Sequence, residues 1–138
     1  MTTLGVLRFP AAAEAGYLQA GLEPHWHAAR AEGAATAILL NHARAGSTTQ
    51  WSERFADGDT PARVRSLGAA CACCERSGTL GLLLAAVFRD LARSSPHPPL
   101  RRQVFLIASA QAKPAALRRQ LRWLNPSPAI HWEDVGLL

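Results

Sequence analysis

Lysine is all but missing from this chain. Lys113 is the single one in 138 residues, and every other basic residue is arginine. With the abundant alanine, that bias reflects a GC-rich coding sequence as much as any function. Aromatic residues make up only 7%, and no motif of an RNA- or DNA-binding module is present. The net charge of +5 therefore does not by itself make nucleic acid an expected partner. No apolar run is long enough to cross a bilayer; the longest, Leu80 to Phe88, covers about half a span and reads as a buried helix. A basic segment followed by an apolar core is absent from the N-terminus, so no secretory signal is expected, and the expected compartment is the cytoplasm. Cysteine is absent everywhere but one place.

That place is Cys71-Ala72-Cys73-Cys74, which holds all three cysteines. Adjacent cysteines pair poorly with each other, and an odd thiol would always be left over, so this is not a disulfide framework. Three thiolates on one short loop make a compact site for a soft ion, Zn(II) or Cu(I). The plain alternative is three small apolar side chains packed in an Ala-rich segment. A redox thiol cluster is a further use of the same residues.

Length and an apolar content of 49% with 18% charged residues describe one globular domain over residues 1–138, with a core of its own. Thr3 to Phe9 reads as a strand ending at Pro10. Helix formers follow from Ala11 to Ala20, and Pro24 at a first-turn position predicts a second helical stretch through Arg30, ending near Gly33. Thr36 to Asn41 is a continuous apolar run, the pattern of a strand buried on both faces. Gly46 to Thr60 is polar and reads as a long loop with a turn of helix around Trp51 to Phe55. Arg63 to Leu67 is a brief strand leading into the cysteines. Ser77 or Thr79 caps a helix to about Arg93. Ser94 to Pro99 is a Pro-rich break, and Gln103 to Ala108 is a further apolar strand. Pro114 to Leu124 is a helix with Leu117, Leu121 and Leu124 on one side and Arg118, Arg119 and Arg122 on the other. A last short strand is expected in the tail after Asn125.

Strands alternating with helices predict a doubly wound α/β layout, a mostly parallel sheet covered by helices. In such a layout sites form at the carboxyl ends of strands. The strand before Cys71 delivers the thiols to such an end. Asn41 and His42 sit at the end of another, which makes His42 the candidate fourth metal ligand beside Cys71, Cys73 and Cys74.

The order of these segments resembles the CobW-type P-loop GTPases, a family of metal chaperones and metal-insertion proteins. Their signature is Gly-Cys-x-Cys-Cys after a strand and before a helix. Ala70-Cys71-Ala72-Cys73-Cys74 takes that place here. Ala37-Ile38-Leu39-Leu40-Asn41-His42 resembles the family's strand ending in Asn-Glu, with His42 where the family has Glu. Phe105-Leu106-Ile107-Ala108-Ser109-Ala110 resembles the next strand, which ends in Glu-Thr-Ser-Gly, and Pro114-Ala115 the Pro that follows. The resemblance spans roughly residues 4 to 124, and the thiol triplet is its most specific part.

The departures from the family bear on nucleotide. Its phosphate loop would fall at Arg8-Phe9-Pro10-Ala11-Ala12-Ala13-Glu14-Ala15-Gly16. Such a loop needs glycines to curl backbone N–H groups around phosphate, and a Lys to meet its charge. Here alanines replace the glycines and Glu14 stands in place of the Lys. Ala15 and Gly16 replace the hydroxyls that hold Mg²⁺. Ala108 replaces an acidic residue, and no guanine-recognition segment or C-terminal domain of the family's kind is expected in residues 1–138. The resemblance thus implies a degenerate, P-loop NTPase-like half domain: a pseudo-GTPase with no nucleotide-binding residues, no catalytic residues and no use for GTP or Mg²⁺.

Two functions follow as expectations. One is a metal-binding accessory protein, a Zn or Cu(I) buffer or metallochaperone that serves a protein client and uses Cys71, Cys73, Cys74 and His42. Its open coordination position could also join two copies as a homodimer. The other is a protein–protein adaptor on a decayed GTPase fold. There the cysteines are merely packed, the basic face Arg118, Arg119 and Arg122 meets an acidic partner, and an apolar patch is exposed where nucleotide once lay. His25 and His27 share a face only on a strand, and their segment reads as helical, so joint metal binding is not expected of them. His97 is expected to be solvated in its Pro-rich loop, and Glu133-Asp134 to be solvated without a partner.

Overall fold

The computed structural model describes residues 2–67, 79–93, 101–124 and 127–136. Cys71, Cys73 and Cys74 lie outside the described residues, as do Ser77, His97 and the segment Ser94 to Pro99.

Five strands, β1 (Thr2–Phe9), β2 (Ala35–Asn41), β3 (Arg63–Ser66), β4 (Arg102–Ser109) and β5 (Ala129–Asp134), alternate with α1 (Ala15–Ala31), α2 (Thr48–Arg54), α3 (Thr79–Arg93) and α4 (Pro114–Leu121). The strands form one sheet in the order β3-β2-β4-β1-β5, and every pairing is parallel. This is the expected doubly wound α/β fold. Central strands buried on both faces must be apolar at successive positions. Accordingly Leu4, Val6, Leu7 and Phe9 of β1 and Val104 through Ala108 of β4 are all buried.

The alternation of side chains sorts the core into two layers. On one face Phe9, Ile38, Leu40, Phe105 and Ile107 pack under α1 and α2, against Leu18, Leu22, Trp26 and Trp51. Rings of Trp26 and Phe55 lie 5.3 Å apart, and Trp51 stacks on Phe55 at 5.9 Å. On the other face Leu4, Val6, Leu39, Val104 and Leu106 pack under α3 and α4, against Leu80, Leu84, Leu91, Leu117 and Leu121. Gly81 brings those two helices together: a Cβ there would stand 2.9 Å from the Gln120 carbonyl oxygen.

Two local expectations are corrected. The two helical stretches around Pro24 are one helix, α1, with Pro24 inside it. Pro24 and Ala20, whose carbonyl loses its helical partner, both face solvent, so the unmade bond is not a buried one. Leu18 and Leu22 before the proline and Trp26 and Ala29 after it bury one continuous stripe, and that burial outweighs the break. The loop after β2 also carries more helix than expected. Ser47 caps α2, its Oγ accepting from the Gln50 N–H at 3.2 Å while the Gln50 side chain accepts from the Ser47 N–H, the reciprocal arrangement of a capping box.

Candidate functional site

The chain winds from β1 toward β2 and β3, then back through β4 to β5. The winding reverses between β1 and β4, and the carboxyl ends of these two strands border the crevice where doubly wound proteins place ligands. Three connections meet there: residues 10–14 after β1, 42–47 after β2 and 110–113 after β4. The Ala110 N–H donates to the Phe9 carbonyl at 2.7 Å, which extends the β1–β4 contact past the end of both strands.

The connection after β1 is a tight turn, with the Ala13 N–H donating to the Pro10 carbonyl at 3.0 Å. A phosphate-cradling nest needs alternating right- and left-handed backbone. Among the described residues no non-glycine has positive φ, so Ala11, Ala12 and Ala13 form none. Glu14 follows as the N-cap of α1, in extended conformation and without a side-chain cap bond. Its carboxylate instead accepts from Arg44 at 3.1 Å. A carboxylate at the positive end of a helix is favourably placed, and here the chain itself supplies that negative charge.

His42 is buried at 9% exposure, and both ring nitrogens have partners. Nε2 lies 2.9 Å from the Pro10 carbonyl, and Nδ1 lies 3.2 Å from the Arg44 N–H. A carbonyl only accepts and an N–H only donates, so the pair assigns the proton to Nε2. His42 thereby ties the turn after β1 to the loop after β2. A metal on either nitrogen would displace one of these bonds.

The thiols of Cys71, Cys73 and Cys74 lie outside the described residues. Their flanking elements are well placed: β3 ends beside β2, with Leu40 opposite Ser66 and the Leu67 N–H donating to the Leu40 carbonyl at 2.9 Å. The chain therefore enters the thiol segment at the carboxyl edge of the sheet, next to the strand that His42 follows. Among the described residues no group of three or more His, Cys, Asp or Glu side chains is placed to hold a metal.

The remaining candidates separate. His25 and His27 lie on α1 and point apart, His25 to Glu133 at 3.1 Å and His27 to Glu23 at 3.6 Å. Arg118, Arg119 and Arg122 are exposed, and Arg122 lies over the Trp123 ring, 4.9 Å from its centroid.

Glu133 and Asp134 are not simply solvated, contrary to expectation. Asp134 takes a two-pronged contact from Arg8, Nε to Oδ1 at 2.5 Å and Nη2 to Oδ2 at 2.7 Å. Arg8 also donates to the Ala112 carbonyl at 3.1 Å and lies 5.6 Å from the centre of the Trp132 ring. This clamp at the crevice joins β1, β5 and the loop after β4. A charge inside the otherwise apolar run of β1 was its sequence signal, because a buried arginine requires an acceptor.

No protein-family model matches the chain, and neither does any curated protein or solved structure.

Proposed function

We propose that this protein is a metal-binding accessory protein of CobW-like descent. It would hold Zn(II) or Cu(I) on the thiolates of Cys71, Cys73 and Cys74 for delivery to a protein client in the cytoplasm, without nucleotide hydrolysis. The observation that carries the reading is the neighbourhood of β2 and β3. Two adjacent parallel strands bring the entry to the thiol segment and His42 to the same carboxyl edge. The closed turn at Pro10–Ala13 and the Glu14–Arg44 pair support the loss of phosphate binding, since neither a backbone cradle nor a lysine is there to receive a phosphate.

Three sulfurs suit trigonal Cu(I). Zn(II) takes a fourth ligand, from water, from a client, or from His42 at the cost of one of its two bonds. An open fourth position favours transfer over storage, because an incoming ligand can attack without first displacing a protein side chain.

The test is metal content of the full chain purified without added metal, beside a Cys71→Ser/Cys73→Ser/Cys74→Ser variant. Near-stoichiometric Zn or Cu that disappears in the variant is expected. No metal in either protein, even after anaerobic reconstitution, would overturn the reading, and so would saturable binding of Mg·GTP.

A further inference from the structure

Helix α3 is apolar on two sides. Leu80, Leu84, Val87 and Leu91 form the side packed into the core. A second stripe, Leu82, Ala85, Phe88 and Ala92, follows helical spacing along the outer side and meets Trp123 and Leu124 beyond the end of α4. Together they line a groove of about 460 Å³. Leu82 is 73% exposed and Trp123 80%. A helix apolar on more than one stripe is normally covered on each, and large exposed side chains that adjoin one another mark an interaction surface.

The charges around the groove are as unbalanced as its apolar wall. Elsewhere Arg8, Arg30, Arg44, Arg54, Arg65 and Arg101 each meet a carboxylate. Arg89 and Arg102, which line the groove, and Arg122, which covers one face of Trp123, have no carboxylate partner among the described residues. Arg102 is partly buried, and its Nε has no hydrogen-bond acceptor among the described residues. A carboxylate at the rim of the groove would give the guanidinium groups of Arg89 and Arg122 the partner that those other arginines already have.

We infer that this groove is the docking site for an amphipathic helix of a partner protein. That helix presents apolar anchors at i, i+3/i+4 and i+7 toward α3, and Asp or Glu at its flanks toward Arg89, Arg102 and Arg122. From Leu82 to Ala92 the stripe runs about 15 Å, room for roughly three turns of a docked helix. The site lies away from the crevice at the carboxyl edge of the sheet, so it is not a relic of nucleotide binding, and it does not depend on the thiols holding metal. A second copy of this chain fits poorly: in a symmetric contact the same arginines would face each other. A single-stranded nucleic acid fits poorly too, because Phe88 is partly buried against the core, which leaves Trp123 as the groove's one well-exposed ring for a base to stack on.

The probe is a synthetic helical peptide with leucines at those four spacings and flanking glutamates, titrated into the full chain with fluorescence anisotropy as the readout. A counterpart with lysines for the glutamates serves as control. Saturable binding of the acidic peptide alone is expected, weakened about 10-fold or more in Trp123→Ala and in Leu82→Ser. Both positions are exposed, so folding is retained. Arg89→Glu/Arg122→Glu is expected to exchange the preference toward the lysine peptide, and the triple cysteine-to-serine variant to bind as the unmodified chain does. Equal binding by all variants would overturn the inference. So would Trp123-dependent binding of a single-stranded oligonucleotide or of anionic vesicles in place of the peptide, or a concentration-dependent dimer abolished by Leu82→Ser.

Discussion

Glu14, the N-cap of α1, and Arg44, in the loop after β2, meet at 3.1 Å beside the crevice at the carboxyl edge of the sheet. The pair is exposed on both sides, 77% for Glu14 and 55% for Arg44. Its value to stability is therefore small, about 0–1 kcal/mol. The pair also puts a carboxylate at the amino end of α1, where an approaching anion would otherwise meet the helix's positive end alone.

Replacing Glu14 by lysine is expected to change the unfolding midpoint little and to create no affinity for nucleotide. The turn at Pro10–Ala13 spends the Ala13 N–H on Pro10, and a lysine alone supplies charge without a cradle. Isothermal titration with Mg·GTP checks this: heat that saturates in Glu14→Lys would show that charge alone had closed the site.

His42→Ala is expected to cost about 1–3 kcal/mol, because it strips a partner from the Pro10 carbonyl and from the Arg44 N–H in a buried setting. Urea unfolding followed by Trp fluorescence measures the loss. Metal titrations on the same variant separate structure from coordination. A fall in Zn(II) affinity with Cu(I) affinity preserved would assign the fourth Zn position to His42.

Asp134→Ala is expected to lower stability by about 2 kcal/mol, since it leaves a half-buried guanidinium with one carbonyl in place of a carboxylate. Glu133→Ala, which removes only the half-exposed contact to His25, serves as the control and is expected to stay within about 0.5 kcal/mol. Thermal or urea unfolding of the two variants side by side decides it; equal losses would remove the clamp's special role.

Two helical glycines predict opposite outcomes for the same substitution. Gly16 has open space around it, so Gly16→Ala is expected to stabilise by about 0.5–1 kcal/mol through the unfolded chain's lost freedom. At Gly81 the added methyl meets backbone at 2.9 Å, and Gly81→Ala is expected to destabilise by about 1–3 kcal/mol as α3 and α4 are forced apart. The unfolding midpoints of the two variants measure both.

The strands were legible because their signal is local. Runs such as Thr36 to Asn41 and Gln103 to Ala108 are characteristic of strands buried on both faces of a parallel sheet, and the two strands lie side by side in it. The cap of α2 was also written locally, as Ser47 followed by Gln50, and went unread beneath the polar composition around it. The single helix across Pro24 was not legible, because a proline's local cost is visible in sequence while the stripe that outweighs it forms only against the sheet. Least legible were the long-range partners. Nothing within ten residues of Asp134 announces Arg8, which lies 126 positions away. The outer stripe of α3 reads as ordinary core until the fold shows that Leu82 is left outside.

The place of β1 in the sheet has a consequence for the order of assembly. Among the strands it is made first, yet it stands between β4 and β5, both made late. Its backbone groups on either edge stay unpaired until most of the chain exists. The nascent protein therefore carries an apolar strand with two open edges until β4 has been made. Its folding is expected to be slow for its size and to benefit from a chaperone that shields that strand.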